Sequence, residues 1–115
     1  MPPVYHITEV TTWAEAQRVG HHAPPSLELE GFIHLSRPEQ VVGTADLYYR
    51  GRADLVLLEI EASALGEALR FEAAANGRGV FPHLYAPLPV SAVRRVLPMP
   101  CRADGGFDDP TAPDR

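Results

Sequence analysis

The chain has no lysine: all ten basic side chains are arginines, set against fifteen acidic ones, for a net charge of -5 over 115 residues. An acidic surface exerts little long-range attraction on a phosphate backbone, so nucleic acid is not an expected partner. Cysteine is nearly absent too. Cys101 alone can neither close an intrachain disulfide nor supply a thiolate pair for zinc, and the cytoplasm is the expected compartment. No window approaches the ~20 apolar residues of a membrane helix, and Met1 to Val10 lacks the basic stretch and apolar run of a signal peptide. No membrane role is expected. The five histidines show no His-Glu-x-x-His spacing, and Gly77-x-Gly79 falls between two β segments rather than between a strand and a helix, so neither a metal nor a phosphate-loop motif is present.

What remains is an ordinary globular composition, with 45% hydrophobic and 22% charged residues. A chain of this size buries roughly 65% of its unfolded surface, enough for one core. The expected arrangement is a single domain over 1–102. The Asp- and Gly-rich stretch 103–115 is poor in apolar residues and reads as a mobile tail.

Alternating β-branched and aromatic residues at Val4-Tyr5-His6-Ile7-Thr8 predict a first strand. Thr12-Trp13-Ala14-Glu15 reads as a capping box opening a helix that ends at Gly20. His21-His22-Ala23-Pro24-Pro25 reads as an exposed loop whose two histidines are solvated. An amphipathic turn at Leu27–Glu30 then leads into a short strand, Phe32–Leu35. Ser36 is expected to cap a helix over about 37–49, with Pro38 in its first turn. Leu55–Ile60 is apolar but for Glu59, the pattern of a strand covered on both faces and placed at the sheet centre. Further strands are predicted at Ala68–Glu72, Val80–Tyr85 and Ala92–Leu97. The class is α+β, a mainly antiparallel sheet with two main helices.

His6, His34 and His83 each lie inside an apolar strand, and a residue flanked by apolar neighbours projects from the face opposite theirs. Were these strands adjacent, three imidazoles would converge on one cleft; the alternative is three separate histidines bonded to backbone. Arg70 and Glu72 share a strand face, either as a structural charge pair or as a ligand clamp. Glu59 and Glu61 are of undetermined face, and Arg52 and Asp54 are expected to solvate a turn. Ser36 as a cap, and Cys101 without a cationic partner, have no assigned chemistry.

The ordered series Tyr5-His6-Ile7-Thr8, Trp13, Ser26-Leu27-x-x-Glu30-Gly31-Phe32-Ile33-His34-Leu35-Ser36, Glu39-Gln40-Val41, Tyr48-Tyr49, Asp54–Glu59 and Phe81-Pro82-His83-Leu84-Tyr85 resembles the bacterial domain-of-unknown-function family DUF952 over about residues 4 to 100. More distantly, a histidine on an early strand, a His-Leu-Ser strand entering a helix, and then an apolar strand resemble the core of ADP-ribosyltransferase and RNA 2'-phosphotransferase folds. That resemblance implies a split sheet holding NAD in a cleft. His6 would contact the adenosine-side ribose and His34 the nicotinamide ribose. His83 or Glu72 would take the position where the transferases place an acid, and Tyr85 would join the cofactor contacts. The expected function is a histidine-lined cleft, with His34, His83 and Glu72 as catalytic candidates and His6, His34 and Tyr85 as cofactor-binding ones. Its ligand would be a small nucleotide-like or phosphorylated molecule, with NAD-dependent ribosyl chemistry as the possible reaction. Two alternatives stay open: a non-catalytic ligand-binding or interaction module, and a histidine-bound divalent metal.

Overall fold

The structure is a computed structural model that describes residues 1–75 and 77–111. Strand β1 (Val4–Glu9) runs directly into helix α1 (Val10–Val19), and two-residue β2 (His21–His22) and helix α2 (Pro25–Glu30) follow. Next come β3 (Ile33–His34), a 3-10 turn at Pro38–Gln40, and helix α3 (Val41–Tyr48). Strand β4 (Leu55–Ile60) is followed by a 3-10 segment, Ala62–Ala68, then β5 (Leu69–Ala73), β6 (Val80–Leu84), β7 (Leu88–Pro89) and β8 (Val93–Pro98). The fold is α+β. Among the described residues the strands form three antiparallel sheets in the orders β1-β4-β8, β2-β7 and β3-β6-β5.

The apolar run of β4 lies between β1 and β8, and the sheet is packed on both faces. Leu58 and Ile60 join Val4, Trp13, Ile33, Leu84 and Leu88 in one core. Leu57 and Leu55 join Tyr5, Ile7, Val41, Ala45, Met99 and Phe107 in the other. One carboxylate lies against this second face: buried Glu59 accepts the Tyr5 hydroxyl at 2.8 Å and both the Nε and Nη2 donors of Arg95. The Arg95 guanidinium, and after it the Tyr5 hydroxyl, hold the Glu59 carboxyl below its usual range, while burial and Glu59 push the Tyr5 phenol up to about 12. Glu61 instead pairs with Arg94 at the surface.

Several local signals yield to tertiary bonds. Helix α1 begins two residues before Thr12, because the Val10 N–H is taken by the Asp54 carbonyl at 2.9 Å and the chain turns there without a side-chain cap. Gly20 does close the helix, with a φ of 96°. Ser36 is not a helix cap. It exchanges two 2.8 Å backbone bonds with Tyr5, and the following 3-10 turn is closed by Gln40, whose side-chain oxygen accepts the Arg37 N–H. The α-helix proper therefore starts at Val41 rather than near 37.

The His21–Pro25 segment is not a fully exposed loop: His21 and His22 pair with Pro89 and Leu88, and His22 is 2% exposed. Past Cys101, one residue of the Asp- and Gly-rich stretch reaches the core. Phe107 is 2% exposed in the second core, its N–H bonded to Asp46, and Cys101 bridges to it. One aromatic side chain supplies the apolar surface that the surrounding Asp and Gly residues lack. Residues 112–115 of the predicted tail lie outside the described residues.

Candidate functional site

The Tyr5–Ser36 bridge joins the edge of the β1-β4-β8 sheet to the end of β3. On either side of it lies a cleft of about 670 Å³. Its walls come from β1 (His6 to Glu9), the start and end of α2, β3, one side of α3 and the β5–β6 turn. His6, His34 and His83, from three strands, all line it.

His34 and His83 are directly paired in the β3–β6 register, so strand alternation places both on one sheet face, together with Phe32, Phe81 and Tyr85 at two-residue spacing. On β5, Arg70 pairs with His83, and Glu72 with Phe81, on the same face. The Phe32 ring stacks on His83 with centroids 4.1 Å apart and an interplanar angle of 21°. The imidazoles of His34 and His83 meet edge to face at 5.7 Å.

Each of these two imidazoles is tied to a carboxylate through one nitrogen. His83 Nδ1 lies 2.9 Å from Glu72 Oε1, which also accepts the Tyr85 hydroxyl at 2.6 Å. The Tyr85 and His83 bonds, in that order, hold the Glu72 carboxyl below its usual range, and Glu72 in turn pushes the Tyr85 phenol up. An ionised carboxylate only accepts, so the neutral His83 ring carries its proton on Nδ1 and leaves Nε2 as a base. Nε2 has no hydrogen-bond partner among the described residues. His34 repeats the pattern, with Nε2 donating to Glu30, four residues upstream at the end of α2, and Nδ1 left without a partner among the described residues.

His6 differs. It is 8% exposed, and both of its nitrogens are used: Nδ1 lies 2.9 Å from the His34 carbonyl and Nε2 lies 3.0 Å from His22 Nε2. A carbonyl only accepts, so His6 donates from Nδ1, and its unprotonated Nε2 receives the His22 Nε2–H. Burial first, then the neighbouring His22, pushes His6 down to about 3, and burial also lowers His22. A neutral imidazole pair thus supports the strand that carries His34. The ribose contact that the transferase resemblance implies for His6 would require one of these bonds to open.

Glu72 and Tyr85 stand with His83, yet the described cleft lining contains neither, so both meet the cleft through the His83 ring. Arg70 and Glu72 make no direct salt bridge among the described contacts: Arg70 lies over the Tyr85 ring at 4.9 Å, its charge adding weakly to what holds the Glu72 carboxyl down, while Glu72 serves His83. Arg52 does more than solvate a turn, because it ties Asp54 to Glu9 at the cleft rim. Among the described residues no three His, Cys, Asp or Glu side chains are grouped to hold a metal ion. Four lining or supporting side chains escaped the sequence reading: His22, Phe32, Glu30 and Arg78. Phe32 and Glu30 had a usable signal, lying two residues before His34 on its strand and four before it on the adjoining helix. His22 and Arg78 had none, since only tertiary folding sets His22 against His6 and brings the β5–β6 turn that carries Arg78 to the cleft.

The model of the family "Protein of unknown function (DUF952)" matches residues 7–96. The crystal structure of protein CC0527 from Caulobacter crescentus is 42% identical, with a TM-score of 0.85 over 92% of this chain and 93% of that one. The solution NMR structure of CC0527 is 43% identical, with a TM-score of 0.81 over 96% of this chain and 93% of that one. No curated protein matches significantly. The chain belongs to the DUF952 family of proteins of unknown function.

Proposed function

We propose that the cleft binds a small nucleotide-like or phosphorylated ligand and acts on its ribose, with NAD as the cofactor and ribosyl transfer or hydrolysis as the reaction. The observation that carries this reading is the convergence of His6, His34 and His83 on one cleft. Its volume of about 670 Å³ lies within the roughly 300–1,000 Å³ typical of small-molecule sites. The residues fit such a ligand. Phe32 and the imidazoles offer aromatic surface to a heteroaromatic ring, and Ser36, Thr44, Thr8 and Thr12 offer hydroxyls to a ribose. NAD supplies a glycosidic bond whose cleavage generates an oxocarbenium-like ribosyl centre.

The chain's part is proton handling and orientation. His83, with Nδ1–H held by Glu72, presents Nε2 to accept a proton from an incoming hydroxyl or water. Glu72, itself steadied by Tyr85, fixes that tautomer and stabilises the imidazolium that results. His34 offers Nδ1 as a second proton site or as a hydrogen-bond acceptor for a ribose hydroxyl. His6 and His22 keep the strand in place.

NAD and ADP-ribose at millimolar concentration should raise the melting temperature, because a ligand at 100 times its Kd stabilises by about 2.7 kcal/mol. Nicotinamide release from NAD should be detectable, and should fall in His83→Ala and Glu72→Gln with binding retained. Stabilisation without nicotinamide release would make the protein a ligand-binding module. No shift with any adenine nucleotide would overturn the reading in favour of an interaction module.

A further inference from the structure

His34 and His83 stand opposite each other in the β3–β6 register with ring centroids 5.7 Å apart, and each has one nitrogen engaged and one without a partner among the described residues. Glu30 holds His34 through Nε2, and Glu72 holds His83 through Nδ1. Phe32 packs on both rings, with centroids 4.8 Å from His34 and 4.1 Å from His83, which limits how either can turn. His83 is 7% exposed, yet its Nε2 is not sealed in: among the described residues no buried side-chain nitrogen or oxygen lacks a partner, and Nε2 has none. His34 is exposed on the same cleft. The two carboxylates of the described lining are committed, Glu9 to Arg52 and Glu30 to His34, and Glu72 is engaged by His83 and Tyr85. The cleft therefore presents two adjacent imidazoles, each with its tautomer set by an acid.

Such a pair suits a displacement in which one oxygen loses a proton while another, on the same central atom, gains one. Imidazole serves both ends, because it exchanges a proton near neutrality. Phosphorus in a phosphodiester is such a central atom, with attacking and leaving oxygens on opposite sides. We infer that the cleft hydrolyses a nucleoside 2',3'-cyclic phosphate, with His83 as the base and His34 as the acid. His83 Nε2 takes a proton from water as the water oxygen bonds to phosphorus. The bond from phosphorus to one ribose oxygen breaks, and that oxygen takes the electron pair and a proton from Nδ1 of the His34 imidazolium. The product is a nucleoside monophosphate with a free neighbouring hydroxyl; both imidazoles then exchange protons with water, and nothing is oxidised or reduced. In a cyclic ester the leaving oxygen stays on the ribose, so the substrate is a single nucleotide, which suits a cleft of about 670 Å³. The inference rests on the nucleotide reading above and adds to it a substrate class and a reaction that does not consume NAD.

The test supplies the wild-type chain with adenosine 2',3'-cyclic phosphate and, separately, with the p-nitrophenyl ester of thymidine 5'-phosphate, whose leaving group departs without a proton. The wild type should hydrolyse both. His83→Gln should slow both by about 10²–10⁴-fold; His34→Gln should slow the cyclic phosphate by the same factor but the p-nitrophenyl ester by less than about tenfold. His34 is exposed, so His34→Gln should match the wild type in circular dichroism and melting, which keeps the test independent of how the buried His83 variant folds. No hydrolysis of the cyclic phosphate by the wild type, or equal loss on both substrates in His34→Gln, overturns the acid–base pair. Nicotinamide release from NAD with the cyclic phosphate left intact overturns this inference alone. Binding of neither NAD nor any adenine nucleotide overturns the nucleotide reading with it.

Discussion

Acidification should destabilise the fold well before its carboxylates titrate, and the source is the buried His6–His22 pair. His6 is held at about 3 in the folded chain against 6.5 when exposed, so below pH 6.5 the unfolded chain binds the extra proton. Its contribution is therefore complete above pH 6.5 and is lost progressively as the pH falls toward 3. At 1.36 kcal/mol per pH unit of separation, the loss from His6 alone between pH 7.5 and 5.0 is about 2 kcal/mol. His22, lowered in the same direction, adds to it. The depressed carboxyls, Glu59 among them, lie below their ordinary values and contribute later in the titration. Urea unfolding followed through Trp13, the single tryptophan, which is 7% exposed, measures the effect at pH 7.5, 6.5, 5.5 and 5.0. His6→Gln should be less stable at pH 7.5 but should lose much less on acidification. A wild-type unfolding free energy that is flat to within about 0.5 kcal/mol over this range would refute the neutral-pair assignment, as would an unchanged slope in His6→Gln.

Leu57 is 0% exposed at the centre of β4, packed against Tyr5, Ile7 and Val41 in the second core. Leu57→Ala should cost about 2–5 kcal/mol in the same denaturation assay, through lost transfer energy and the cavity left behind. Phe107→Ala should cost about 3–5 kcal/mol, and truncation after Gly106 should lower the melting temperature comparably. Unchanged melting in either would show that Phe107 does not hold the tail to the core.

The sequence by itself determined the elements whose stability is local or whose burial is total. The run Leu55–Ile60, apolar but for Glu59 and of strand length, reads as a strand covered on both sides, and it is one. Gly20 and Gly31, needing no Cβ in left-handed backbone, stop α1 and α2 where they stand. The period-2 rule set His34 and His83 apart from their apolar neighbours, which made them visible as candidates. Only the tertiary structure decided what depends on which strands are neighbours. The β3–β6 register brings His34 against His83 and puts Glu72 on the His83 ring, a pairing across eleven residues that no local pattern specifies. Ser36 has good cap chemistry, but its backbone gains two strand bonds to Tyr5, and these prevail over one side-chain cap. His22, which reads as a solvated loop residue, becomes a buried partner of His6 because β7 closes over it. Burial and hydrogen-bond completion are properties of the assembled sheets, and a single strand carries too little information to fix them.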